Sequence, residues 1–155
     1  MKGRSQFTFS IASAKPADAA GIAALLHEAG LPHADFARHL SHFLVARDEA
    51  GALVGAVGAE VYAPEALLRS LVVAPEKRGA GLGHELVQRL EIAAAGWGVE
   101  RWWLLTTTAE RFFAARGFRV VPRAEAPATI AATEEFRGLC PSMAVCMTRD
   151  RKTGR

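Results

Sequence analysis

Apolar and polar positions change period several times along the chain, and each change marks an element. Phe7 to Ala12 alternates apolar with small polar residues, the period-two pattern of a strand. Pro16 stands where a helix begins. Ile22, Leu25, Leu26 and Ala29 follow at helical spacing, and Gly30 is a natural stop. A second helix is predicted over Ala34 to His42, with Phe36 and Leu40 among its apolar positions. Phe43 to Arg47 reads as a strand, Asp48-Glu49-Ala50-Gly51 as a turn and Leu53 to Tyr62 as the partner strand. Gly55 and Gly58 interrupt that strand and point to a bulge or a close backbone approach. Pro64-Glu65 breaks it, and Ala66 to Val73 is a further strand, apolar except at Arg69 and Ser70.

The second half alternates strand with helix. Leu82, Leu86, Val87, Leu90 and Ala94 line one face of a helix predicted from Leu82 to Trp97, which Gly96 and Gly98 end. Arg101 to Thr106 is the next strand, with Trp102 and Trp103 on opposite faces: one is expected in the core, the other at a pocket wall or subunit contact. Thr107-Thr108-Ala109-Glu110 has the T-x-x-E form of a capping box and opens a short helix through Arg116, which Gly117 closes. Phe118 to Val121 resumes extended structure, Pro127 to Arg137 reads as a helix and Ser142 to Met147 as the last strand. Hairpin strands followed by strand–helix alternation imply an α/β chain of α+β type, with a mixed sheet covered by helices.

Composition narrows the class. The chain has 155 residues, 50% hydrophobic and 23% charged, the size and balance of one globular domain. No repeat or long linker divides it. One domain is therefore expected over residues 1–148, with a solvated basic tail over 149–155. No apolar run approaches the ~20 residues of a membrane span, and Met1 to Phe7 has no apolar signal core, so a cytoplasmic location is expected. The net charge is +3, and Arg149, Arg151, Lys152 and Arg155 supply much of the excess. That run is short and has no aromatic partners, so neither nucleic acid nor membrane is expected as a partner. Cys140 and Cys146 form no C-x-x-C pair and no zinc spacing, and read as reduced thiols. His39 and His42 lie one helical turn apart without a third ligand, so no metal is expected.

The chemistry concentrates between the strand ending at Val73 and the helix beginning at Leu82. A strand feeding a glycine-rich loop feeding a helix is an anion site. The first N–H groups of the helix lack intrahelical acceptors, and the macrodipole adds partial positive charge. Gly79, Gly81 and Gly83 let the backbone approach a phosphate, and Lys77 and Arg78 add positive charge at the rim. The loop lacks the G-K-[ST] end of a triphosphate P-loop and the G-x-G-x-x-G dinucleotide pattern. By itself it can equally be a helix-start turn rich in glycine.

Leu71-Val72-Val73-Ala74-Pro75-Glu76-Lys77-Arg78-Gly79-Ala80-Gly81-Leu82-Gly83 resembles the signature of the GCN5-related N-acetyltransferases (GNAT), [QR]-x-x-G-x-[GA] after an apolar strand. Arg78, Gly81 and Gly83 hold its three defining positions. Phe112-Phe113-Ala114-Ala115-Arg116-Gly117-Phe118 resembles the family's later F-Y-x-x-x-G-F segment, and the resemblance covers roughly Leu53 to Met147. It implies the GNAT fold: a mostly antiparallel sheet with one splayed parallel pair and helices on both faces. It implies acetyl-CoA as co-substrate. Backbone groups of Leu71 and Val73 would pair with the pantetheine arm as an added strand does, with Val72 between them in the cofactor site. Amides of Gly79, Ala80, Gly81, Leu82, Gly83 and His84 would hold the pyrophosphate, with Arg78 beside them in the cofactor site. Strand Arg101–Thr106 would splay from strand Leu67–Val73, with the acetyl thioester in the gap. Thr106 falls near the position where many relatives place an Asn that contacts CoA.

Acetyl transfer to an amine needs a proton acceptor for the amine, a donor for the developing oxyanion and, less strictly, an acid for the thiolate. Many relatives supply the acid as the Tyr of F-Y-x-x-x-G-F, where this chain has Phe113. Its one tyrosine is Tyr62. Glu60 is the candidate general base, and alternation puts Tyr62 on the same strand face, where it could donate to substrate or thiolate. Each also has a structural reading, Glu60 as a surface carboxylate at a strand end and Tyr62 as a packing aromatic. Arg69 and Ser70 are candidate substrate contacts. A charge in a central strand is expensive unless paired. Arg69 could thus clamp a substrate carboxylate or form a structural pair with Glu60.

A narrower resemblance is to the acetyltransferases of bacterial arsenic-resistance clusters (ArsN-type). It rests on Glu60-Val61-Tyr62, Ala66 to Val73, Leu104 to Ala109, Phe112-Phe113 and Ile130 to Ser142. It implies a small amine substrate of the kind of arsinothricin or phosphinothricin. Cys140 then has two readings, structural or arsenic-binding. Acylation of a peptide or protein amine and non-catalytic CoA sensing stay open as alternatives, as does a homodimer.

Overall fold

The structure, a computed structural model, describes residues 8–139 and 143–151. The strands are β1 (Ser10–Ser13), β2 (Phe43–Arg47), β3 (Leu53–Tyr62), β4 (Glu65–Val73), β5 (Arg101–Thr106), β6 (Arg119–Val120) and β7 (Val145–Asp150). The α-helices are α1 (Ala19–Glu28), α2 (Leu82–Ala94), α3 (Glu110–Ala114) and α4 (Ala128–Ala131). Among the described residues the strands form one sheet in the order β1-β2-β3-β4-β5-β7-β6. β1 with β2, β2 with β3, β5 with β7 and β6 with β7 are antiparallel. β4 and β5 are parallel, with Glu65 opposite Arg101, Ala66 opposite Trp102 and Leu67 opposite Trp103. Parallel neighbours need a long crossover, and α2 lies in that crossover. No helix among the described residues is long and apolar enough to cross a membrane.

The chain falls into two compact units. One runs to Gly58 and resumes at Ser70–Leu90; the other comprises Ala59–Arg69 and the chain from Glu91 onward. In the first, Ile22 and Leu26 of α1, one helical turn apart, pack with Phe36, Phe43, Val45, Ala56 and Val72. Gly58 gives the Phe43 ring its place: a Cβ there would lie 2.2 Å from the ring. That is the close approach expected of a strand glycine. In the second unit Leu67, Trp103, Val121, Ile130 and Cys146 form the apolar cluster, with Tyr62, Leu105, Ala126 and Phe136 against it.

Several expectations change. The stretch to His42 is a 3-10 run, Phe36–His42, rather than an α-helix; Phe36 is its one buried residue, so no apolar stripe selects the wider helix. The helix expected over Pro127 to Arg137 stops at Ala131. There the Thr133 hydroxyl donates to the Ile130 carbonyl (2.7 Å) and accepts the Phe136 amide (3.3 Å), competing with the helical ladder. The chain resumes as a wide π-type turn, Glu135–Leu139. At α3 the residue before the helix is Ala109, without a side-chain cap. Thr106, not Thr107, holds the turn, its hydroxyl oxygen accepting the amides of Ala109 (2.9 Å) and Thr108 (3.4 Å).

The last strand runs three residues beyond Met147, to Asp150. Its polar positions hid it in the sequence, yet Thr148 and Arg149 both find partners inside the fold. The buried Thr148 hydroxyl donates to the Trp102 carbonyl at 2.8 Å. Arg149, expected in a solvated tail, is buried, with Nη2 2.6 Å from Glu91 Oε2 and Nη1 donating to the Arg116 carbonyl at 2.8 Å. Residues 152–155 and Cys140 lie outside the described residues. Both Trp102 and Trp103 are buried, so neither lines an open surface, and Trp103 Nε1 donates to Glu65 Oε1 at 2.7 Å.

Candidate active site

The glycine loop has the geometry of an anion cradle. The Ala74 amide donates to the Val54 carbonyl at 2.8 Å and fixes the end of β4, and Pro75–Lys77 forms a tight 3-10 turn. Gly79 and Gly81 then adopt φ of 87° and 85°, the left-handed region that excludes most side chains. Both are exposed, and a Cβ at either would meet nothing within 4 Å. The Gly81 carbonyl accepts the Glu85 amide at 3.1 Å, the first rung of α2. The amides of Leu82 and Gly83 precede that rung and point away along the axis, where the dipole favours an anion. Buried Leu82 anchors the helix start, so the loop is open in front and fixed behind.

The flanking cations are engaged locally. Lys77 Nζ lies 3.8 Å from Asp48 Oδ2, which offsets its charge. Arg78 Nε donates at 3.0 Å to the Val73 carbonyl, one of the groups expected to meet a pantetheine arm. Val72 buries its side chain in the core, Leu71 and Val73 are half-buried, and Ala80 and His84 are exposed. The Thr106 hydroxyl is committed to the turn before α3.

A separate set of polar groups lies in the second unit. Glu60 and Arg69, both 2% exposed, are joined by Arg69 Nη1 to Glu60 Oε2 at 2.6 Å. The Tyr62 hydroxyl, two residues along the same strand, donates to Glu60 Oε1 at 2.6 Å. The carboxylate is therefore held at both oxygens, and it is buried rather than at the surface. Of the two readings of Arg69, the structure has the ion pair with Glu60. It adds an acid that sequence reasoning missed: Glu135 Oε2 lies 3.2 Å from Arg69 Nε. The one signal for it was the cost of a buried guanidinium, which more than one acid relieves. Ser70 has φ of 63°, the one left-handed residue other than glycine among those described. It breaks the regular pleat of β4 next to Arg69.

Residues 39–120 match the acetyltransferase (GNAT) domain family. The chain belongs to the GNAT family. It carries an acetyltransferase (GNAT) domain, and the glycine loop at the α2 N-terminus is open to solvent. N-acetylglutamate synthase from Neisseria gonorrhoeae, solved with coenzyme A and N-acetyl-glutamate, is similar at TM-score 0.81 and 27% identity over 96% of this chain. This chain spans only 36% of that protein. Rv2747 from Mycobacterium tuberculosis, solved with CoA, shares the fold at TM-score 0.77 and 22% identity, covering 91% of this chain and 98% of that one. A GNAT acetyltransferase from Staphylococcus aureus Mu50 shares it at TM-score 0.73 and 15% identity, covering 94% and 100%. No curated protein matches the chain significantly.

Within this GNAT domain the position of the family's tyrosine is part of the core. Phe113 is 4% exposed and packs edge-on against Phe112 and Phe118, with ring centroids 5.0 and 5.4 Å away. Arg116 stacks over Phe112, 3.9 Å from its centroid. Cys146 is also buried, and burial pushes its thiol up to about 11, against a smaller opposing pull from Arg123. It is no nucleophile at neutral pH.

Proposed function

We propose that this GNAT domain acetylates the primary amine of a small, amino-acid-like acceptor. The anion cradle at the start of α2 carries the cofactor half of this reading. Gly79 and Gly81 are left-handed and open where an exposed pyrophosphate would lie. The acceptor class draws support from the Neisseria gonorrhoeae neighbour, whose bound N-acetyl-glutamate is an acetylated amino acid. Within that class, the ArsN-type resemblance favours amino-acid toxins bearing an arsenical or phosphinic group.

Acetyl-CoA, when bound, supplies the acyl carbon and a thiolate leaving group that needs no strong acid. The chain's own residues would handle the amine. Tyr62 Oη takes a proton from the acceptor ammonium as its own proton passes to Glu60 Oε1, along the 2.6 Å hydrogen bond already in place. Arg69 stabilises the Glu60 carboxylate from the other side. Ser70, left-handed beside Arg69, marks where β4 can turn a backbone amide toward a developing oxyanion. Phe113 has no part in the proton path.

The test is incubation with acetyl-CoA and a panel of amino acids, phosphinic amino acids, peptides and polyamines, following free thiol. Turnover on amino acids that Glu60→Gln abolishes supports the reading. Preference for peptide amines would overturn the acceptor class, and tight CoA binding with no turnover on any amine would overturn catalysis.

A further inference from the structure

We propose that Glu135 is a positioning residue, holding Arg69 against Glu60 and thereby setting the charge that reaches the Tyr62 hydroxyl. This rests on the proton path proposed above. Arg69 is buried between two carboxylates: its Nη1 meets Glu60 Oε2 at 2.6 Å and its Nε meets Glu135 Oε2 at 3.2 Å. The side chain of Arg69 is 0% exposed and those of Glu60 and Glu135 are 2% and 5%, so water screens these contacts little. Two anchors on different edges of a planar guanidinium fix its plane, which one anchor would leave free to pivot.

Local sequence places Glu135 there. The Thr133 hydroxyl ends α4 and takes the Phe136 amide, which turns the chain. Glu135 then meets Arg69 while Phe136 packs against the cluster of Leu67, Trp103, Val121, Ile130 and Cys146. The apolar anchor and the acid sit on adjacent residues. Among the groups bearing on Glu60 are Tyr62 from its own strand, Arg69 from β4 and, through Arg69, Glu135. The titratable Cys146 of β7 belongs to the apolar cluster against which Tyr62 packs.

Tyr62 is the one tyrosine in the chain, so its ionisation can be followed near 295 nm without an acceptor. Glu135→Gln keeps an oxygen for Arg69 Nε and removes a negative charge. Tyr62 should then ionise at lower pH than in the wild type, by about half a unit or more. Glu135→Ala lets Arg69 leave Glu60, leaving the carboxylate uncompensated beside the phenol, and Tyr62 should ionise at higher pH. Glu135→Asp keeps the charge but loses the reach. It should move as Glu135→Ala does, and it stands in if that variant fails to fold. Shifts in opposite directions support the inference. A shift in the same direction for Gln and for the shortened side chains, or no shift in any, would overturn it. Turnover of Glu60→Gln separates the two ideas: wild-type rates there sink the proton path while leaving the Tyr62 coupling to be read on its own.

Discussion

Tyr62 donates its phenolic hydrogen to Glu60 Oε1 at 2.6 Å, and the two residues share one face of β3. The phenol is the half-buried end of the pair and the carboxylate the buried end. Removing either should therefore break the same path. Tyr62→Phe and Glu60→Gln are each expected to lower kcat by roughly 10²–10⁴-fold with little change in KM for acetyl-CoA. The double variant should be no worse than the poorer single one. Steady-state kinetics on the four proteins checks this, and additive losses would mean two independent roles.

The cradle makes a different demand. Gly81→Val forces a β-branched residue to φ of 85° and puts methyl groups in the open space before α2. Acetyl-CoA affinity, read by calorimetry, should fall by about tenfold or more, while the backbone strain costs about 1–3 kcal/mol of stability. Unchanged affinity would remove the loop from the cofactor site.

Restoring the family's tyrosine should not help. Phe113→Tyr adds a hydroxyl to a 4% exposed ring packed between Phe112 and Phe118. An unsatisfied buried hydroxyl costs about 1–3 kcal/mol. A lower melting temperature with no gain in kcat is expected. A rise in kcat would show that position 113 reaches the chemistry.

Gly58→Ala tests the packing of the first unit. Its Cβ would lie 2.2 Å from the Phe43 ring, so the ring must move. Overpacking of this kind costs about 1–3 kcal/mol. Phe43→Leu in the same chain should recover part of the loss, which a double-mutant cycle by denaturant unfolding measures.

Alkaline pH should find Cys146. Burial raises its thiol from 9.0 to about 11, so the folded state resists ionisation that the unfolded chain accepts. Its contribution to stability is fully present below pH 9.0 and is lost as pH rises through about 11. Between those limits unfolding free energy should drop more steeply in the wild type than in Cys146→Ala, and the native thiol should resist alkylation at neutral pH.

Much of the architecture was legible because it is local. Phe43–Arg47, Leu53–Tyr62 and Arg101–Thr106 follow from runs of apolar residues bounded by turns, and the structure has these strands at those bounds. The start of α2 and the left-handed glycines before it follow from backbone requirements that a single stretch of chain expresses. Elements whose polar residues find distant partners were hidden. Arg149 reads as tail until Glu91 meets it, and Thr133 reads as helix until its hydroxyl caps Ile130.

The candidate site divides the same way. The sequence by itself carried the glycine loop at a helix start, a local pattern of glycines and their order, and its resemblance to the GNAT signature implied the cofactor. It also determined that Glu60 and Tyr62 share a face, through the alternation of a strand. Only the tertiary structure decided what Arg69 does, because an ion pair between β3 and β4, extended to Glu135 sixty-six residues further along the chain, depends on approach in space rather than in sequence. Charge neutralisation in a buried place is a property of the folded neighbourhood, and no local pattern encodes it.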